Sequence, residues 1–332
     1  MSDAAPTRPA AARVAPRHTL HIVSGKGGTG KTTIAAALAC ALATQGRRVL
    51  LCEVEGRQGI AEVFGTSPLV GAEERRIART PAGGSVFGLA IDPEDALREY
   101  LETFYHLGLA GKALDRFGVI DFVTSIAPGL RDVLLTGKVY EAVRRRAKNR
   151  PDAYDAVVLD APPTGRISQF LNIHEAVSGL ARVGPIRNQA DSVMTMLHAP
   201  TTVVHLVTLL EDMPVTETEE AVAGLRPTGI QVGTVIENLV RPSPFEVDEL
   251  ERAAAGAVEL TVPGWSPRRN AALAAEFAVE AARTLEQQVR HERLAGLGLP
   301  LVQVDFDPLG IDANALAGIA EQLTDQLALE AG

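Results

Sequence analysis

Residues 24–33 of the chain read Ser24-Gly25-Lys26-Gly27-Gly28-Thr29-Gly30-Lys31-Thr32-Thr33. An apolar run that predicts a strand, residues 20–23, precedes this segment, and a helix-compatible run follows it. A strand, a glycine-rich loop and a helix in this order are the context that a phosphate-binding loop (P-loop) requires. Glycines let the backbone turn its N–H groups around an anion, and the helix N-terminus adds the positive end of its dipole. The segment therefore predicts a nucleotide site.

Two side chains carry the chemistry of this predicted site. Lys31 is expected to contact the β- and γ-phosphates of ATP, and the Thr32 hydroxyl is expected to ligate Mg²⁺. A chance glycine-rich turn is the alternative, but it does not explain why the lysine, the hydroxyl and the helix follow in order. The predicted nucleotide-binding residues of the loop are Gly25, Lys26, Gly27, Gly28, Thr29, Gly30, Lys31, Thr32 and Thr33.

Short β-branched runs alternate with longer helix-compatible stretches from residue 19 onward, a pattern typical of a parallel sheet with crossover helices. The predicted strands are residues 20–23, 49–54, 156–160, 202–208, 231–237 and 301–304, with 85–91 as a weaker candidate. Their nearly continuous apolar character suits strands covered on both faces. The sequence thus predicts an α/β fold, a mostly parallel sheet flanked by helices as in P-loop NTPases, with a helical insertion or subdomain.

Domain boundaries follow from changes in this pattern. Residues 1–18 mix Ala, Pro and Arg without an apolar run and predict a disordered tail. Residues 19–332 are interpreted as a single P-loop ATPase domain. Within it, residues of about 92–149 and 166–199 lack strand signals and carry apolar residues at helical spacing, which predicts a helical subdomain. Ordinary core packing is the alternative to a client-binding role for these apolar residues.

Composition excludes several classes of protein. The 332 residues are 46% hydrophobic and 22% charged, which excludes a disordered chain. A formal net charge of -9 argues against a nucleic-acid partner. The two cysteines, Cys40 and Cys52, are too few for a four-ligand zinc site in one chain, so we expect no zinc and a reducing cytoplasm. The apolar runs are shorter than the ~20 residues that span a bilayer, so no transmembrane segment is predicted.

Lys26 distinguishes this loop from an ordinary P-loop. The string Lys-Gly-Gly-x-Gly-Lys-Thr resembles the deviant Walker A motif of the dimeric ATPases related to ParA, MinD and the nitrogenase iron protein. In that class this lysine reaches across the dimer to the partner's nucleotide. The resemblance therefore implies a catalytic role for Lys26 and a nucleotide-sandwich dimer, either a homodimer or a heterodimer with a paralogue. An exposed loop lysine is the alternative.

The segment Asp155-Ala-Val-Val-Leu-Asp160-Ala-Pro-Pro-Thr-Gly165 narrows this resemblance. It is similar to the strand and switch II of the ArsA-type arsenical-pump ATPases and of the ATPases that deliver tail-anchored membrane proteins. The resemblance implies that Asp160 holds Mg²⁺ through water and that Asn238 recognises adenine, although a turn-forming Asn is the alternative for Asn238. Further matches are Ile91-Asp92-Pro93, Pro128-Gly129 and Glu217-Thr218. The chain is identified as a member of this anion-transporting and tail-anchored-protein-targeting family.

The segment at switch I departs from the family pattern. Counting back from Phe64-Gly65, Glu55 occupies the position of the family's water-orienting aspartate. Because glutamate is one methylene longer, hydrolysis is expected to be slow. A solvated loop carboxylate is the alternative for Glu55, and Glu53 is the next candidate for the catalytic role. The chain also lacks the zinc-binding Cys-x-x-Cys pair of the eukaryotic targeting ATPases and the metalloid-binding cysteines of the arsenical enzymes.

The leading hypothesis is a Mg²⁺-dependent ATPase whose dimer couples ATP binding and hydrolysis to the shape of a helical client-binding region. The client would be hydrophobic or a membrane protein. Glu55 keeps a contrasting alternative open, a non-catalytic nucleotide-binding regulatory subunit of a heterodimeric ATPase. A partitioning ATPase is disfavoured because the chain is acidic and lacks a basic amphipathic helix at its end. An electron-transfer protein is disfavoured because neither cysteine lies in a plausible interface loop.

Overall fold

The computed structural model describes residues 18–44, 46–54, 56, 58–71, 73–105, 128–172 and 185–327. The strands are β1 (Leu20–Gly25), β2 (Arg48–Glu53), β3 (Arg75–Arg79), β4 (Ser85–Ala90), β5 (Ala156–Asp160), β6 (Thr202–Thr208), β7 (Val232–Val240) and β8 (Leu301–Asp305). They form one sheet in the order β3-β4-β2-β5-β1-β6-β7-β8, and only the β3–β4 pair is antiparallel. The predicted mostly parallel α/β fold is therefore confirmed.

Helices cover both faces of this sheet. Their bounds are α1 (Lys31–Ala43), α2 (Gly59–Val63), α3 (Pro93–Tyr105), α4 (Pro128–Ala147), α5 (Thr164–Leu171), α6 (Pro185–Leu197), α7 (Asp212–Leu225), α8 (Val247–Ala254), α9 (Pro267–Ala295) and α10 (Ala313–Gln326). One core lies between the sheet and helices α1 and α10, and the other lies between the sheet and helices α4 to α7.

Successive side chains of each central strand point to opposite faces of the sheet, so one strand contributes to both cores. Leu20 and Ile22 of β1 belong to the core under α4 to α7, whereas Val23 belongs to the core under α1 and α10. Both sets of side chains are fully buried. A strand buried on both faces needs apolar residues at nearly every position, which is why the apolar runs located the central strands correctly.

Two strands, β3 and β7, differ from the sequence prediction. Strand β3, residues 75–79, was not predicted because three of its five residues are arginines and none is fully buried. Charged residues of this kind are common on edge strands, where they oppose pairing with another chain. At the other side of the sheet, β7 continues to Val240 and includes Asn238, which the sequence analysis placed after the strand.

The two predicted helical blocks contain helices wherever the structure describes them. Helices α3 and α4 lie in residues 92–149, and most of α5 and all of α6 lie in residues 166–199. Residues 106–127 and 173–184 of these blocks, the tail at 1–17 and residues 328–332 lie outside the described residues. Across the described parts of the chain, no helix is both long and apolar enough to cross a membrane.

Candidate nucleotide site

The phosphate loop connects β1 to α1 at the carboxyl edge of the sheet. Gly30 precedes α1 with φ +85°, and no side chain caps the helix N-terminus. The first N–H groups of a helix have no acceptor within the helix, so those of α1 are suited to an anion. Gly27 and Gly28 border open space, since a Cβ atom at either position would meet nothing within 4 Å. The loop and the start of α1 are therefore open to an anion.

The two predicted metal-binding residues are brought together across the sheet. Thr32 lies in the first turn of α1, Asp160 ends β5, and the Thr32 hydroxyl donates to Asp160 Oδ2 at 2.6 Å. Both line a cavity of about 30 Å³, together with Lys31 and Glu53. Hydroxyl and carboxylate oxygens are the ligands that Mg²⁺ prefers, and the ion usually keeps several waters. This donor set fits Mg²⁺.

Lys31 lies at the base of the loop, and its side chain faces the same small cavity. The residue is only 8% exposed, and its Nζ donates to the backbone oxygen of Lys26 at 3.4 Å. The ammonium group is thus held beneath the loop, where a phosphate in the cradle would approach it. Lysine acts as a point charge at such sites.

Lys26 points to a different neighbour. Its Nζ lies 2.8 Å from Glu217 Oε1 on α7, and both side chains are partly exposed, at 29% and 27%. Glu217 Oε2 also accepts from the Thr164 hydroxyl at 2.9 Å. The hydrogen bond from Lys26, assisted by the one from Thr164, holds the pKa of Glu217 below its usual value. Within one chain, Lys26 is therefore neutralised by α7 and linked to the start of α5.

Asn238 packs directly against the phosphate loop. Its Nδ2 donates to the backbone oxygen of Thr29 at 2.8 Å, and a Cβ atom at position 30 would lie 2.3 Å from that nitrogen. The next residue, Leu239, has φ +58°, and the pairing of β7 with β8 shifts register here. Because the Asn238 amide nitrogen is engaged by the loop, its Oδ1 is the atom that could accept a hydrogen bond from an adenine amino group.

The position predicted for the water-orienting carboxylate, Glu55, lies outside the described residues. The structure does describe Glu53, which the sequence analysis kept as the next candidate. Its carboxylate, 4% exposed, accepts from the backbone N–H groups of Gln58 at 2.8 Å and Ile60 at 3.0 Å. Glu53 thus holds the beginning of α2 beside Thr32 and Asp160. No sequence signal indicated this contact beyond an acidic residue at the end of a strand.

The switch II segment after β5 contacts both the loop and the helical layer. The Ser24 hydroxyl donates to the backbone oxygen of Pro162 at 2.7 Å, which joins the loop to this segment. Further along, Arg166 of α5 lies 3.8 Å from Asp132 of α4. Burial raises the pKa of Asp132, and Arg166 opposes that shift. The sequence analysis missed both contacts, because they join residues far apart in the chain.

Cys40 lies in α1 and Cys52 lies in β2. Cys52 is fully buried, and both thiols are free. Burial raises the pKa of Cys40 to about 11 and that of Cys52 further still. Neutral thiols inside two core layers act as small apolar residues.

The chain is similar to known ATPases. The family model described as "Anion-transporting ATPase" matches residues 18–205. "ATPase BagA" of Mycobacterium tuberculosis is 47% identical over 316 residues, covering 92% of this chain and 93% of the relative. "ATPase GET3" of Kluyveromyces lactis is 27% identical over 185 residues, covering 52% of each chain. The match to the family model extends from the strand before the phosphate loop into β6, more than half of the chain, and this chain belongs to the ArsA-type anion-transporting ATPase family.

Proposed function

We propose that this chain is a Mg²⁺-dependent ATP hydrolase of the deviant Walker A type that works as a nucleotide-sandwich dimer in the cytoplasm. The observation that carries the proposal is the contact between Thr32 and Asp160 beside Lys31. This contact lies at the base of the phosphate loop, where the N-terminus of α1 has no side-chain cap. A phosphate cradle, a lysine and two oxygen ligands in one small space are the parts that nucleotide hydrolysis requires.

The loop would hold the phosphates through its N–H groups, from Gly25 to Thr33. Lys31 would neutralise charge on the transferred phosphoryl group, and Thr32 and Asp160 would hold Mg²⁺, directly or through water. Bound Mg²⁺ supplies charge neutralisation across the β- and γ-phosphates. Asn238 would recognise adenine through Oδ1 while its amide nitrogen keeps the loop in place.

Lys26 would act in the partner's site, in a homodimer or in a heterodimer with a paralogue. The support is its present environment: it lies at the loop surface, 29% exposed, paired with Glu217 of its own chain. Partly exposed ion pairs contribute only ~0–1 kcal/mol, so a phosphate of the partner's nucleotide would readily replace Glu217. The dimer would then assemble each site from both chains.

Coupling to a client would run through α5. Thr164 at its start donates a hydrogen bond to Glu217, and Arg166, two residues later, approaches Asp132 of α4. Moving Lys26 away from Glu217 would therefore alter contacts that reach the helices predicted as a subdomain at about 92–149 and 166–199. The proposed client is a hydrophobic or membrane protein, and this part of the proposal rests on the family resemblance.

The direct test is phosphate release by the purified chain, alone and with any copurifying paralogue, in the presence of Mg²⁺ and ATP. Glu55→Gln should lower kcat at least tenfold and leave ATP affinity within about twofold, because a water-orienting carboxylate acts on the transition state.

Glu53→Gln is the matched control for Glu55→Gln. It keeps the size of the side chain and one of the two acceptor oxygens that the N–H groups of Gln58 and Ile60 use, and it should change kcat much less than Glu55→Gln. Turnover of Glu55→Gln at the wild-type rate would remove Glu55 from the mechanism. Absence of turnover in the wild type under all these conditions would contradict the hydrolase itself.

A further inference from the structure

Helices α3, α4 and α6 border a cavity of about 500 Å³, a volume typical of small-molecule sites. None of its described lining residues belongs to the phosphate loop or to the Mg²⁺-binding pair. Its apolar wall includes Ala96, Tyr100 and Leu134, which are 5%, 6% and 2% exposed and belong to a small core of their own. The cavity therefore offers an apolar surface separate from the nucleotide site.

The remaining wall is strongly cationic. Five basic and two acidic side chains line the cavity, although the whole chain carries a net charge of -9. Some of this positive charge is compensated: Lys138 pairs with Glu99, and Arg145 pairs with Glu74 at 2.8 Å. Arg150 pairs with Asp152 at 2.9 Å. These cations already have carboxylate partners.

Among the described residues, Arg144 and Lys148 at the cavity have no carboxylate partner of this kind within ion-pair distance. Arg144 lies in the last turn of α4, and Lys148 directly follows that helix, with its backbone N–H bonded to the Arg144 oxygen. Both residues are exposed. The Arg144 guanidinium lies 5.7 Å from the ring centre of Tyr140, another lining residue. A guanidinium and an ammonium side by side favour a carboxylate or a phosphate.

We propose that this cavity binds a small amphipathic organic acid. The apolar body of the ligand lies against Ala96, Tyr100 and Leu134, and its carboxylate or phosphate faces Arg144 and Lys148. An inorganic anion would leave the apolar wall uncovered, and a neutral apolar molecule would leave both cations without a counterion. The site uses none of the residues assigned to nucleotide or metal, so it does not depend on ATP hydrolysis, although its helices belong to the region proposed above to bind a client.

Calorimetric titration of the full chain tests this inference with dodecanoate below its micelle-forming concentration. Dodecanol is the matched probe without a charge, and inorganic phosphate is the probe without an apolar body. We expect one dodecanoate per chain, with dodecanol and phosphate each binding at least tenfold more weakly. Equal binding of dodecanol, equal binding of phosphate, or no saturable binding of dodecanoate would overturn the proposal.

Charge-reversal variants locate the site. Arg144→Glu with Lys148→Glu should weaken dodecanoate at least tenfold and leave dodecanol unchanged. Arg268→Glu with Arg269→Glu is the matched control, because it makes the same charge change at exposed positions at the start of α9. This control should alter dodecanoate affinity less than twofold. If both double variants weaken dodecanoate equally, the effect is one of net charge and the proposal fails.

A filling variant tests the cavity itself. Ser192 lines it from α6, so Ser192→Phe should occupy part of the volume and weaken dodecanoate at least fivefold. Unchanged ATP affinity and an unchanged circular dichroism spectrum would show that the variant is folded. A folded Ser192→Phe chain that binds dodecanoate as tightly as the wild type would overturn the placement of the ligand.

Discussion

The two lysines of the phosphate loop lie five residues apart and have different surroundings. Lys31 is 8% exposed and held beneath the loop, beside the contact between Thr32 and Asp160. Lys26 is partly exposed and paired with Glu217 of another helix. The buried ammonium group of Lys31 is therefore suited to a phosphate bound by the loop of its own chain. Lys26, whose ion pair with Glu217 is weak and partly exposed, is suited to exchange that partner for a group bound to a second chain.

The largest expected difference between the two lysines is in nucleotide affinity. Lys31→Ala removes the buried charge and should weaken Mg²⁺-ATP binding about 100-fold, since a charge-assisted contact to phosphate is worth up to ~3 kcal/mol. Lys26→Ala should change the affinity of the single chain less than about threefold. Titration with a fluorescent ATP analogue compares the two variants. Equal losses would show that both lysines serve the same nucleotide.

Acidification should lower the stability of the fold and leave the Lys26–Glu217 ion pair intact. Burial lowers the pKa of His205 to about 4, and burial together with His205 lowers that of His21; the two rings hydrogen-bond at 3.1 Å. An unfolded histidine titrates near 6.5, so it binds more protons than the folded one below that pH. Stability is thus complete above pH 6.5 and is lost as the pH falls towards 4.

We expect the free energy of unfolding in urea to fall by about 2 kcal/mol between pH 7 and pH 5 from His205 alone. His205→Gln, which keeps a hydrogen-bonding group but does not titrate, should flatten this dependence. The Glu217 carboxylate stays ionised over this range because its pKa is lowered, so the pair with Lys26 should persist. An unchanged slope in His205→Gln would assign the effect to other groups.

A smaller effect is expected on the contribution of Mg²⁺ to ATP affinity. Thr32→Val removes the hydroxyl but keeps the shape, so it should reduce the gain in ATP affinity on adding Mg²⁺ by about tenfold, or ~1.4 kcal/mol. Affinity measured in EDTA should stay within twofold of the wild type. Thr44→Val, at the opposite end of α1, is the control and should behave as the wild type. A full Mg²⁺ effect in Thr32→Val would exclude its hydroxyl as a ligand.

Much of this arrangement could be predicted from the sequence, because local patterns specify it. The loop from Ser24 to Thr33 and the buried strands β5 and β6 have signals confined to a few neighbouring residues. Strand β3 was missed because edge strands need not be apolar. Its arginines obscure the pattern that identifies a buried strand.

The contacts of the site were harder to predict, since they join distant parts of the chain. Lys26 and Glu217 were each singled out by resemblance, yet nothing local indicates that they pair. The same holds for Asn238 and Thr29, which meet only because β7 lies two strands from β1. A strand order of this kind is a property of the whole fold, and a single sequence does not encode it in any one segment.

Sedimentation with Mg²⁺-ATP would show whether Lys26 leaves Glu217 to act in a second chain. Wild type, Lys26→Ala and Glu217→Gln would be measured alone and with any copurifying paralogue. We expect ATP to convert the wild type to a dimer, Lys26→Ala to bind ATP but remain monomeric, and Glu217→Gln to dimerise at a lower ATP concentration. An ATP-dependent dimer of Lys26→Ala as stable as that of the wild type would contradict the account.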